Sequence, residues 1–132
     1  MEICLKEFNG NTGLEKATLD SLGLRMDLPK DYVELFQKFN GGEGFIGEEY
    51  VVLHKAEELE NVNAECGIQQ FDSKIFLIGN NGAGEAIGID FRNEKPVYIL
   101  IPYIFDYDAI IRLAENTDGL FKRIYENGYF ST

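Results

Sequence analysis

The chain has 132 residues, 45% of them apolar, with 10 Phe and 7 Tyr, a content that excludes disorder and fits one folded domain. Its 23 acidic residues against 12 Lys and Arg leave a net charge of −11, which favours solubility and a basic partner and argues against binding a nucleic-acid backbone. Cys4 and Cys66 are too few for a disulfide framework and read as reduced thiols of a cytoplasmic protein; MEICLKEFNG has no signal-peptide pattern, and no run is long enough for a membrane span.

In chain order, the first ten residues fit either a short strand or a loose arm. Thr12–Leu22 permits a helix, with Thr12 as cap, Leu14, Ala17, Leu19 and Leu22 irregularly spaced, and Gly23 as the stop. The next helix is clearer. Pro29 fits a first turn, Asp31 suits the positive end of the dipole, and Tyr32, Leu35, Phe36 and Phe39 form one apolar stripe. Glu34 and Lys38 stand four apart in the favourable order, and Asn40-Gly41-Gly42 reads as a left-handed cap. Phe45–Leu53 gives one or two short strands around Gly47. Lys55–Asn63 fits a short helix with Ala56, Leu59 and Val62 inward and Glu57, Glu58 and Glu60 outward.

Lys74–Arg92 is the organising stretch. Ile75–Ile78 and Ala86–Phe91 are apolar runs facing each other across Asn80, Asn81, Gly82 and Gly84, residues suited to φ > 0, and they predict a hairpin in the middle of a sheet. Val97–Ile101 follows as a strand opened by Pro96, and Ala109–Ala114 as a further one. Thr117–Asn127 closes as a helix, Thr117 capping, Leu120, Phe121, Ile124 and Tyr125 inward, Gly128 ending it. The expected class is α+β, one domain with a largely antiparallel sheet covered by helices.

LPKDYVELFQKFNGGEG at Leu28–Gly44 resembles the signature of the SUKH superfamily, with Leu-Pro, an acidic–aromatic pair, an amphipathic helix and Asn-Gly-Gly-x-Gly. The strand–Gly-rich loop–strand ending in Asp90 and IIRLAENTDGLFKRI near the end fall in the family's order, so that the likeness covers Leu14–Tyr125. The resemblance implies one SUKH-like domain over residues 1–132. It also implies either a bacterial immunity protein that binds and neutralises a cognate toxin, or a regulatory protein-interaction module unrelated to toxins.

Enzyme chemistry has little support in the sequence. His54, the single histidine, lacks a Cys or second His at metal-ligand spacing, and no metal or cofactor set is visible. A catalytic triad would need Ser21, Ser73 or Ser131 to meet His54, and none sits in a nucleophile-elbow context. Glu48-Glu49 and Glu57-Glu58 lack surroundings that would push two pKa values apart. Gly79–Gly84 with Gly88 runs into a strand rather than a helix, which favours a turn over a phosphate cradle. Between Glu43 and Glu65, seven glutamates face only Lys55. The expected partner contacts are therefore Glu43, Glu48, Glu49, Glu57, Glu58 and Glu60, with Tyr103, Asp106 and Tyr107 of IPYIFDYD as a second group, since Tyr with Asp is a good interface composition.

Overall fold

The computed structural model describes residues 2–130. Seven strands form one antiparallel sheet whose spatial order is the chain order: β1 (Phe8–Thr12), β2 (Phe39–Ile46), β3 (Glu49–Leu53), β4 (Ile75–Asn80), β5 (Glu85–Asp90), β6 (Val97–Pro102) and β7 (Ile111–Ala114). Helices α1 (Lys16–Ser21) and α2 (Lys30–Lys38) lie between β1 and β2, α3 (Leu59–Cys66) and α4 (Ile68–Phe71) between β3 and β4, and α5 (Thr117–Asn127) follows β7. The α+β single domain expected from the sequence is the one observed.

The β4–β5 hairpin occupies the centre of the sheet, as its unbroken apolar runs require. Side chains alternate across a strand, so β4 sends Phe76 and Ile78 to one face and Ile75 and Leu77 to the other. The first face packs with Tyr32, Leu35 and Phe36 of α2 and Leu120, Phe121 and Ile124 of α5. The second packs with Ile68 of α4, flanked by Phe71 and Phe105. Burial on both sides is why these strands carry no polar alternation. In the loop, only Gly82 and Gly84 have positive φ. Asn80 and Asn81 act instead through their side chains, the first accepting the Gly82 amide at 2.8 Å and the second the Ala83 amide at 2.9 Å.

Several boundaries differ from the sequence reading. Thr12 is the last residue of β1, not a helix cap; α1 begins four residues later, and only Leu19 on it is buried. Asn40-Gly41-Gly42 does not cap α2, because Phe39 already has extended backbone (φ −154°) and opens β2. Gly41 is left-handed (φ +67°) within that strand, where a Cβ would stand 2.6 Å from the Leu53 carbonyl oxygen. Asn116, not Thr117, caps α5, its Oδ1 accepting the Gly119 amide at 2.7 Å. Thr117 is hydrogen-bonded to the Tyr98 hydroxyl at 2.6 Å and gives its amide to Asp31 at 2.9 Å, which joins α5 to the start of α2. Tyr125 points outward.

Lys55–Asn63 is a 3-10 turn at Ala56–Glu58 followed by α3, and the inward residue at its end is Asn63 rather than Val62. Asn63 is fully buried. Its Nδ2 donates to the carbonyls of Leu59 and Leu77, both at 2.9 Å, and its Oδ1 accepts the Leu77 amide at 2.7 Å. Removal of this side chain strands two backbone groups inside the sheet. Asn63→Ala is expected to cost about 2–3 kcal/mol, read as a lower urea midpoint at unchanged m value. Asn63→Leu, although larger and apolar, should not restore the loss.

His54 follows β3, its amide bonding the Ile78 carbonyl at 2.9 Å. Burial holds the imidazole below its ordinary value of 6.5, against a smaller upward pull from Glu58. The unfolded chain therefore takes up this proton first on acidification. Its contribution to stability is complete above pH 6.5 and is lost as pH falls through the lower folded value. Unfolding midpoints of His54→Gln should fall less than those of the parent between neutral and mildly acidic pH; parallel profiles would refute this.

Candidate partner-binding surface

The residues singled out as partner contacts fall into three places. Glu57, Glu58 and Glu60 project from the 3-10 turn and the first turn of α3, around a shallow hollow of about 430 Å³ shared with Asn61, Val62 and Glu65. Glu57 accepts a hydrogen bond from Asn40 Nδ2 at 2.8 Å, which lowers its pKa, and Glu58 Oε1 accepts the Lys55 amide at 3.2 Å.

Tyr103, Asp106 and Tyr107 belong to the β6–β7 connection, and both tyrosines are exposed. Tyr107 and Asp106 are committed locally. Tyr107 donates its hydroxyl to Asp72 at 2.8 Å, and its ring lies 4.5 Å from that of Phe71 and 5.0 Å from the Arg92 guanidinium. Burial acts to raise the Asp72 pKa, but the Lys74 amide, the Tyr107 hydroxyl and Arg92 outweigh it and hold that carboxyl below its ordinary range. Asp106 accepts the Asp108 amide at 2.9 Å, and partial burial raises the pKa of the Tyr103 phenol, against a smaller pull from the Asn80 side chain.

The third place is the β2–β3 ribbon, where Phe45 and Tyr50 face each other across the pair and stack edge-on at 5.3 Å. Tyr50 donates its hydroxyl to Glu43, a contact that raises the phenol's pKa. At the ribbon's end a groove of about 990 Å³ opens between three segments. Ile3, Cys4, Lys6 and Glu7 come from the N-terminal turns, Phe45, Gly47, Glu48 and Glu49 from the ribbon, and Ile124 to Gly128 from the end of α5. Ile3, Phe45 and Tyr125 are 72%, 48% and 43% exposed at its mouth.

The walls of this groove are held from beneath. Gly47 is left-handed (φ +63°), and a Cβ there would come within 2.6 Å of the Tyr125 carbonyl oxygen, so glycine lets the β2–β3 turn lie against α5. Glu49 Oε2 accepts the Tyr129 amide at 2.9 Å, and the Tyr129 hydroxyl donates to the Tyr50 carbonyl at 2.8 Å. Arg123 donates to the carbonyls of Gly128 at 3.0 Å and Tyr129 at 3.1 Å. Glu49 therefore builds the wall, while Glu48 stands on the rim. The sequence reading missed Ile3, Phe45, Tyr125, Glu7 and Glu126. A usable signal was present in Phe45 and Tyr50, which flank the Gly47 turn at a spacing that sets them opposite each other in a hairpin.

Among the described residues, no hydrogen bond joins Ser21 or Ser73 to His54. Ser21 donates its hydroxyl to the Thr18 carbonyl at 2.6 Å, Ser73 lies between α4 and β4, and Ser131 lies outside the described residues. His54 Nε2 is buried with no hydrogen-bond partner among the described residues. The Gly79–Gly84 segment turns from strand to strand, without the helix N-terminus a phosphate site needs. Among the described residues no group of three or more His, Cys, Asp or Glu is placed to hold a metal, and no helix is long and apolar enough to cross a membrane.

A family model described as SMI1-KNR4 cell-wall, SUKH_6, matches residues 22–121. Comparison with curated proteins gave no match. The matched region runs from the end of α1 through the whole of β2 to β7 and into α5, so it includes the ribbon and every strand but β1. It takes in Leu28–Gly44, where the likeness was first visible, and it is consistent with immunity-protein-like binding of other proteins. A match over most of the chain, on a fold with the expected antiparallel sheet, places it in the SUKH superfamily, to which this chain belongs.

Proposed function

We propose that the chain is an immunity protein of a bacterial polymorphic or contact-dependent toxin system. It acts in the cytoplasm, binds one cognate toxin domain and blocks that domain's active site or substrate path, with the whole of residues 1–132 serving as a single SUKH-like domain. Family membership carries this reading. The charge supports it. A toxin that acts on nucleic acid needs a basic cleft, and a domain of net charge −11 complements such a cleft and accelerates encounter with it. The protein performs no reaction in this account and needs no cofactor; its effect is occupancy.

Co-expression with the toxin domain encoded beside it is the direct test, scored by growth and by a co-purifying complex. Rescue with a stable complex supports the reading, and toxicity undiminished by abundant folded protein overturns it. The exposed carboxylates of the 3-10 turn that leads into α3 should act on encounter. Glu57→Lys with Glu58→Lys is expected to slow association about tenfold at low salt and to flatten its salt dependence. Association rates equal to the parent's at both low and high salt would remove these residues from the account.

A further inference from the structure

The three clusters of candidate contacts are not equivalent. The carboxylates of the 3-10 turn and α3 (the α3 carboxylates below) surround a hollow whose single apolar lining residue is Val62, so that patch has charge without an anchor. Asp106 and Tyr107 are engaged with the Asp108 amide and with Asp72, and their connection covers the second face of the sheet through Phe105 and Ile110. The groove at the end of the β2–β3 ribbon gathers three exposed apolar side chains and unengaged rim carboxylates in one concavity; the β6–β7 connection also exposes Tyr103, Ile104 and Tyr107, but there Tyr107 is held by Asp72 and Asp106 by the Asp108 amide. Among the described residues Glu7, Glu48 and Glu126 take part in no side-chain hydrogen bond or ion pair, and Lys6 is the one cation in the lining.

Protein interfaces draw their affinity from apolar anchors that leave water, and their selectivity and encounter rate from the charges around them. A ready-formed groove also loses little entropy when it is filled. Gly47 against Tyr125 and Glu49 against Tyr129 hold this one open from within the fold. Four carboxylates to one ammonium select a positive occupant, and Ile3, Phe45 and Tyr125 select one with an apolar side chain.

We infer that this groove is the docking site for a basic, amphipathic segment of the partner protein, which seats an apolar side chain against Phe45 and Tyr125 and sets Lys or Arg against Glu7, Glu48 and Glu126. The inference rests on the reading of the chain as a toxin-binding protein and adds where the toxin is held. The α3 carboxylates then steer approach without forming the seat.

Two measurements test it. In the first, isotope-labelled full-length protein is titrated with a short amphipathic peptide of lysine and leucine, with no toxin present. Resonance shifts should gather on Phe45, Glu48, Tyr125 and Glu126. Phe45→Ser, or Tyr125→Ser where the first variant unfolds early, should weaken binding about tenfold. Glu48→Lys with Glu126→Lys should do the same, and Glu57→Lys with Glu58→Lys much less. No binding, shifts spread evenly over the acidic surface or centred on α3, or a dimer of the chain that buries the groove would each overturn the inference.

In the second, the same variants are examined in the co-purified complex. Groove variants should raise the dissociation rate about tenfold, whereas α3 variants should change association alone. The converse pattern overturns the groove and leaves the immunity reading intact. Failure of growth rescue, with peptide shifts still gathered in the groove, overturns the immunity reading and leaves the groove.

Discussion

The carboxamide of Asn63 does for Leu77 what a neighbouring strand would do, and it does so at the middle of the sheet. β3 pairs with β4 only through Val52↔Asn80 and Leu53↔Gly79 before the chain leaves the sheet. Beyond that point the amide and carbonyl of Leu77 face the space that β3 has vacated, and an unpaired backbone group buried there is costly. Asn63 offers one donor and one acceptor in the arrangement of a peptide unit and meets both. The ladder is thereby completed by a side chain, and α3 is fixed against β4 by the same bonds. Gly67, left-handed at φ +82°, then turns the chain into α4, which brings Ile68 over the second face. Asn40 repeats the device nearby. Its Oδ1 accepts the Ala56 amide at 2.8 Å and its carbonyl accepts Asn11 Nδ2 at 3.1 Å, tying β1, β2 and the 3-10 turn together.

The acidic excess divides into carboxylates that hold the fold and carboxylates that do not. Asp31 accepts the Thr117 amide, Glu49 that of Tyr129, and Asp90 takes the Arg92 guanidinium through both oxygens. Asp27 is likewise gripped by Arg25, chiefly through their hydrogen bond, which keeps its carboxyl below the ordinary range. The same guanidinium lies 4.7 Å from the Phe91 ring and 5.1 Å from that of Phe76. These groups have internal duties, and those of Asp27 and Asp90 include an ion pair with a guanidinium. Glu7, Glu48 and Glu126 have no such duty, and their mutual repulsion works against compactness. The basic partner proposed above would remove that repulsion.

The strands were legible because their signal is local and redundant. Four consecutive buried residues in Ile75–Ile78, facing an equally apolar run across a Gly-rich turn, admit few alternatives. The errors came where one residue serves two elements or where a polar side chain acts at long range. Phe39 continues the helical spacing of α2 and also opens β2, so periodicity carried the helix one residue too far and made a cap of glycines that belong to a strand. Thr117 and Asn116 are both good caps by type. What decides between them is Tyr98, 19 residues away, which engages the Thr117 hydroxyl. Nothing in the neighbourhood of Asn63 distinguishes it from the exposed Asn61; its partner is 14 residues on, across a change of element. The candidate site was legible in composition and not in place, since Ile3, Phe45 and Tyr125 are brought together only by the closing of α5 against the ribbon.

An immunity protein of the kind proposed must match one partner and refuse its relatives, and needs a surface that changes without disturbing the core, because specificity is a difference between affinities and repulsive substitutions serve it as well as attractive ones. The groove separates these demands. Its walls are set by backbone approach at Gly47, by the Glu49 carboxylate on the Tyr129 amide and by Arg123 on the carbonyls beyond α5, all of which are indifferent to what stands on the rim. Its rim is made of Ile3, Glu7, Phe45, Glu48, Tyr125 and Glu126, whose side chains end in solvent. Exchanges there alter charge and shape at the mouth and leave the sheet, its asparagine bridges and both apolar layers as they were.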